Sequence, residues 1–325
     1  MADRVRTRVL MEPRHGARYA DILALATATE DAGFEAFFRS DHLMGVDPAD
    51  PTYLPTECWS TLGGIARETS RVRLGALVGA ATFRWPGLLA AAVASVNEMS
   101  GGRVELGLGT GWYEREHAAF GIPFPASGTE RFDRLAEQLA IVTGMWRTPF
   151  GEAFSFVGEH YSVAENRTPP RPDPVPPVIV GGTGAKRTPA IAARFADEFN
   201  GALARDGAEL AARYAAFERA CADIGRDPGT ARRSVVVPVA CGASPAEVRR
   251  RAAVIGSELM RGNAAIGSPD AVVEHLDDLT GAGADTVYLH IYDIHDLEHI
   301  ALIGAEVLPR LARTASPSTP TGSHR

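Results

Sequence analysis

Cysteine is scarce and scattered: Cys58, Cys221 and Cys241 are the whole complement of a 325-residue chain. An odd number without metal-ligand spacing speaks against a disulfide framework or a cysteine zinc site, and fits buried or inert thiols in a reducing compartment. Long apolar runs are missing too. No stretch approaches the roughly 18 apolar residues of a membrane span, and the opening MADRVRTRVL carries charges where a signal peptide needs an unbroken apolar core. A cytoplasmic protein with no membrane partner is the expectation. Positive charge is in deficit as well: a net charge of -7 and a pI near 5.8 oppose attraction to phosphate backbones, so nucleic acid is not an expected partner.

What is present is a globular balance of 45% hydrophobic and 22% charged residues, enough for a large core. Short β-rich runs alternate with amphipathic helical segments to about residue 313, the pattern that builds a parallel sheet. The expected strands are Arg6 to Met11, Glu35 to Arg39, Val72 to Val78, Val104 to Gly109, Pro177 to Gly181, Glu198 to Gly201, Val235 to Ala240 and Thr286 to Ile291. Between them Phe132, Leu135, Leu139, Val142 and Trp146 form one apolar stripe at steps of three and four, and Leu89, Ala92, Val93 and Val96 repeat it after Pro86. Eight such units in one α/β domain over residues 1–313 point to a closed (β/α)8 TIM barrel, with an open doubly wound sheet as the alternative.

The stretch from about 148 to 176 breaks the rhythm with an alternating segment, Phe154 to Val163, and a proline-rich run. It reads as an insertion after the fourth β/α unit that shapes or covers a pocket, or else as a surface excursion. Residues 314–325 lack apolar anchors and read as a disordered tail.

Three places could carry chemistry. Strand residues Phe37 and Phe38 lead into the polar triplet Ser40, Asp41 and His42, where barrel enzymes place catalytic groups. His42 is the best acid–base candidate, and the neighbouring Asp41 could orient it, although both could simply stabilise a loop. Val178-Ile179-Val180 empties into Gly181-Gly182-Thr183-Gly184 and a helix beginning near Ala185, a geometry that gathers backbone N–H groups at one spot and suits a phosphate. The sequence is neither a Walker A motif nor a dinucleotide fingerprint. Gly107-Leu108-Gly109-Thr110-Gly111 ends the fourth strand before Trp112 and Tyr113; glycine lets backbone approach a flat ring, and Trp112 could stack on it. Glu114 and Glu116 read as solvated helix-start charges, with the alternative that one of them faces the site. The pattern His295-x-x-Glu298-His299 imitates a zinc motif on a helix, but no third ligand is apparent and no metal is expected.

Together the blocks FRSDH at 38–42, WSTLGGIARETSRVRLGALV at 59–78, TFRWPG at 82–87, SGGRVELGLGTGWYEREHAAFGIPFP at 100–125 and VIVGGTGAKRTPAIAARFADEFN at 178–200 resemble the luciferase-like monooxygenase superfamily. More closely they resemble its branch of oxidoreductases that use coenzyme F420. The resemblance implies a cofactor at the barrel's carboxyl face, held by Ser40, Leu77, Val78, Gly111 and Trp112, with its phosphate at Gly181 to Gly184. It implies a cis peptide at Leu77-Val78 beneath the ring, and catalysis by Asp41 and His42. Where sugar-phosphate dehydrogenases of the family carry glutamate after the glycine cluster, this chain has Trp112. That departure, with Tyr113 and also Trp59 and Tyr53, suggests an aromatic mouth for a small apolar or cyclic substrate.

The resemblance therefore implies F420-dependent hydride transfer. The alternatives are a monooxygenase using reduced FMN from a separate cofactor reductase, and a non-catalytic flavin-binding relative. Dimers or larger homo-oligomers follow by analogy alone.

Overall fold

The computed structural model describes residues 5–13, 16–45 and 56–311. Strands β1 (Arg6–Met11), β2 (Ala36–Arg39), β3 (Arg73–Ala80) and β4 (Val104–Gly109) follow the expected runs to within two residues. A hairpin of β5 (Phe154–Val157) and β6 (Ser162–Asn166) precedes β7 (Val178–Gly181), β8 (Glu198–Leu203), β9 (Arg232–Cys241), β10 (Ala265–Gly267) and β11 (Thr286–Ile291). All pairings outside the hairpin are parallel, and the order β9-β11-β1-β2-β3-β4-β7-β8 returns to β9. The eight expected strands thus close a barrel, and the open sheet is discarded. The short β10 adds to the outside of β9.

Helices α1 (Tyr19–Asp31), α2 (Cys58–Glu68), α3 (Pro86–Ser100), α4 (Glu114–Ala119), α5 (Gly128–Arg147) and α6 (Arg187–Phe195) lie in the first part of the chain. After them come α7 (Gly207–Asp223), α8 (Pro245–Ala253), α9 (Glu258–Gly262), α10 (Pro269–Gly281) and α11 (Leu297–Glu306). The two expected stripes are buried on α3 and α5, where Pro86 opens the first and Ser127 caps the second by accepting from the Glu130 amide. Trp146 donates its indole N–H to Ala90 O at 3.0 Å, locking one helix to the other. Among the described residues no helix is long and apolar enough to cross a membrane.

The hairpin corrects one expectation. It follows α5, after the fourth β/α unit as expected, but none of its residues lines the cavity at the barrel's carboxyl end. Glu137 on α5 accepts the amides of Glu159, His160 and Tyr161, so the hairpin is pinned along the outside of that helix. Its Tyr161 packs edge-on against Trp85 in a separate depression.

Alternation along the strands divides the core in two. Outward residues such as Val9, Leu74, Leu106 and Val180 meet the helices, whereas Leu10, Phe38, Leu77, Ile179, Val236 and Tyr288 cluster inside the barrel. Below this apolar layer lies a charged one. Arg8 donates to Glu105 at 2.8 Å, to Glu198 at 3.4 Å and to the Tyr288 hydroxyl at 2.7 Å, and that hydroxyl donates to Glu198 at 2.8 Å. Arg73 and Arg232 reach the same carboxylates from the rim. Every partner is multiply bonded, which is the condition under which such buried charges persist.

Candidate active site

At the carboxyl end the strands open into a cavity of about 590 Å³, within the range of small-molecule sites. All eight barrel strands or the turns after them supply its lining. Ser40, Asp41, His42, Leu77, Val78, Gly111, Trp112, Gly181, Gly182, Thr183 and Gly184, all expected from sequence, line this one space. Tyr53 lies outside the described residues, and Trp59 is buried on α2 in the main core, away from the cavity. The aromatic mouth is therefore Trp112 and Tyr113, stacked with ring centroids 5.1 Å apart, with Trp112 59% exposed.

The expected partnership of Asp41 with His42 is replaced by another. Asp41 is buried and held by both terminal nitrogens of Arg84 at 2.5 and 2.9 Å, and Arg84 also reaches Glu57 at 2.5 Å. The carboxylate bonded to His42 is Glu116, whose Oε2 lies 3.1 Å from Nδ1. Far from being solvated, Glu116 is 1% exposed, and its Oε1 accepts the amides of Leu43 and Met44, the latter at 2.9 Å. Burial alone would lower the pKa of His42, but the hydrogen bond and charge of Glu116, with the charges of Glu12 and Asp41, raise it on balance. Glu12, one residue past β1, is a third cavity carboxylate, one that the strand reading passed over.

The glycine cluster after β4 has a different cause from the one expected. The Leu77-Val78 peptide is cis, as the resemblance implied, and the β3–β4 register shifts between Ala76 and Gly79. A Cβ on Gly107 would sit 2.1 Å from Ala76 O, and one on Gly109 would sit 2.9 Å from Val78 Cγ2. Those two glycines make room for the irregular third strand, and Gly109 also lines the cavity. Gly111, at φ 73°, would press Thr82 Oγ1 at 2.5 Å. Thr82 in turn bonds Nε2 of the buried His117 at 2.7 Å, and the other ring nitrogen donates to Tyr113 O at 2.8 Å, so His117 braces the cavity wall.

Beyond β7 the chain turns through Gly182, at φ 151°, and α6 begins at Arg187, two residues later than expected. Gly182 N–H bonds Asn200 O at 3.4 Å, whereas the amides of Thr183, Gly184, Ala185 and Lys186 meet no acceptor among the described residues. A Cβ on Gly184 would crowd Thr188 Oγ1 at 2.7 Å, so the loop must be bare there. Unpaired amides before a helix start fit an anionic group such as the phosphate of a flavin-type cofactor. Ser40 Oγ adds a second fit: it is buried in the cavity lining with no hydrogen-bond partner among the described residues.

The zinc-like pattern comes apart. His295 precedes α11 and is about half exposed, while the buried His299 accepts the Cys241 amide at Nε2, 3.0 Å away. Burial, and then the charge of Arg251, hold His299 down to about 4, so it stays neutral behind the barrel wall. All three cysteines are buried and unpaired.

With this geometry in view, a family model described as Luciferase-like monooxygenase matches residues 5–257. The chain belongs to the luciferase-like monooxygenase family. Within it, the chain is 37% identical over 183 residues to an F420-dependent glucose-6-phosphate dehydrogenase of Beutenbergia cavernae, covering 55% of this chain and 51% of that protein. The chain thus spans about half the length of such curated relatives. It is 31% identical over 316 residues to the F420-dependent hydroxymycolic acid dehydrogenase of Mycobacterium tuberculosis, covering 89% and 84% of the two chains. An F420-dependent secondary alcohol dehydrogenase solved with an F420-acetone adduct superposes with a TM-score of 0.79 over 95% of this chain and 99% of that one, at 18% identity. A long-chain alkane monooxygenase of the same fold reaches 0.79 at 15% identity, covering 96% and 92%. At such identities the likeness shows the luciferase-like fold alone.

Proposed function

We propose that this chain is an F420-dependent oxidoreductase acting on a small, uncharged, apolar or cyclic substrate at the barrel mouth. The observation that carries the reading is one cavity lined both by a loop whose Thr183 and Gly184 amides meet no acceptor among the described residues and by a histidine backed by a buried carboxylate. The F420-dependent relative that aligns over most of both chains supports the cofactor. A deazaflavin has carbon where flavin has nitrogen, so it supplies two-electron hydride chemistry rather than oxygen activation.

The chain's own residues divide the remaining work. The loop amides and the start of α6 hold the anionic end, the Leu77–Val78 segment forms a wall, and Ser40 offers a hydroxyl. Trp112, Tyr113, Phe83 and Met260 give the opening an apolar lining that excludes water. His42 takes or gives the proton that accompanies reaction. Among the described residues no arginine or lysine lines the cavity, while Glu12, Asp41 and Glu116 do. A phosphorylated substrate would find no arginine or lysine among the described lining residues, and its phosphate would compete for the amides after β7.

Anaerobic titration with oxidised F420 and with FMN, followed by absorbance, tests the cofactor. F420 is expected to bind more tightly. The reverse ranking overturns the proposal in favour of the oxygen-activating alternative.

A further inference from the structure

We propose that Glu116 is a positioning residue that fixes the tautomer of His42, keeping the proton on Nδ1 so that Nε2 is the atom that exchanges the proton of the reaction. This rests on the reading of His42 as the proton-transfer group. The argument begins with donors and acceptors. Glu116 receives the Leu43 and Met44 amides on Oε1 and faces His42 Nδ1 from Oε2. A carboxylate only accepts, so Nδ1 must carry hydrogen whether the ring is neutral or charged. The proton that comes and goes is then the one on Nε2. Neutral His42 presents a base there, and protonated His42 presents an acid.

The pairing spans 74 positions of sequence and joins α4 to the turn after β2. Other groups face His42 as well. Glu12 faces His42 from the end of β1, and Asp41 faces it while paired to Arg84. Trp112 and Tyr113 meet its ring edge-on at 5.8 and 6.4 Å. Burial disfavours the charged ring, and Glu116, Glu12 and Asp41 together overcome that. Arg84 already occupies the Asp41 carboxylate, which leaves the orienting task to Glu116.

A purely structural role is separable, because Glu116 also ties down the turn at Leu43 and Met44. Glu116→Gln keeps a carbonyl oxygen for those two amides but puts an N–H opposite Nδ1. Nδ1 must then accept, and the neutral ring carries its hydrogen on Nε2. The expected result in nitrogen-15 NMR of the histidine side chains is an Nδ1–H form for neutral His42 in the wild-type protein and an Nε2–H form in the variant. Its titration midpoint falls in the variant. Turnover should fall about 10³-fold while cofactor affinity stays within about threefold, by analogy with other tautomer-fixing carboxylates.

An Nε2–H form in the wild-type protein overturns the inference, and so does a variant that inverts the tautomer yet keeps full turnover. The wild-type spectrum needs neither the variant nor a cofactor, so a variant that fails to fold does not protect the idea. Preference for FMN in the titration would remove the proposed cofactor and leave the tautomer result standing. An inverted wild-type tautomer would do the opposite.

Discussion

Along β4 the inward residues are Glu105, Gly107 and Gly109; along β1 they are Arg8, Leu10 and, just past the strand, Glu12; along β8 they are Glu198, Asn200 and Ala202. The same strands thus close the barrel at the amino end with charge and open it at the carboxyl end with small or short-range polar residues. At the closed end the buried charges are paired with other side chains in an ion-pair network. Arg8 is fully buried yet bridges Glu105, Glu198, Glu35 and Tyr288. At the open end polar groups stay unanswered, as Ser40 Oγ and the amides from Thr183 to Lys186 do. A satisfied network holds a fold together, whereas unsatisfied groups around a cavity await a ligand.

Breaking the closed end should have the largest effect. Arg8→Met leaves Glu105 and Glu198 facing each other, and burial with the charge of Glu105 already pushes Glu198 up against the pull of Arg8 and Arg232. A loss of about 3 to 5 kcal/mol is expected by chemical denaturation, with cofactor affinity of the folded fraction unchanged. Equal loss of both would mean that the two ends are not separable.

His42→Ala tests the open end. Turnover should drop about 10²- to 10³-fold with cofactor affinity nearly intact, and stability should fall by only about 1 kcal/mol. Equal loss of turnover and affinity would make His42 a binding group. The stability cost has a sign with pH. His42 binds its proton more tightly folded than unfolded, so its contribution is full below the ordinary value of 6.5 and is lost as pH rises through the raised folded value. Wild type and variant should therefore converge in thermal midpoint toward alkaline pH.

The smallest effect is expected at the amide cradle. Gly182→Ala adds a Cβ at φ 151°, 3.3 Å from Thr188 Cγ2, which should tilt the loop and weaken cofactor binding about tenfold. Unchanged affinity in the same titration would separate this loop from the anionic end of the cofactor.

Much of this was legible in the chain. The eight strands were readable because β-rich runs end in turn residues, and the site residues were readable because they stand at strand ends. The insertion was legible as a break after the fourth β/α unit, but the choice between pocket wall and surface excursion was not, because only the fold shows that an insertion after a helix leaves the strand-end loops untouched. The glycines of β4 were singled out for the approach of a ring, but their closeness to Ala76 and Val78 of β3 was not legible, because it depends on strand pairing. Glu116 was taken for a surface charge because a six-residue helix shows too little periodicity to reveal a buried face. Its neighbours Arg115 and His117 are polar as well, so the sequence held no cue to the buried face.

Sequence alone determined the alternation, the glycine turn after Val180 and the presence of a titratable histidine after β2, because these are local properties of a few consecutive residues. Only tertiary structure decided which carboxylate that histidine would meet. Asp41 stands next to it in the chain, yet Arg84 takes Asp41, and closure of the barrel brings Glu116 to Nδ1 instead. Adjacent side chains leave the backbone in different directions, and ring closure, not chain distance, sets which groups face one another across the mouth.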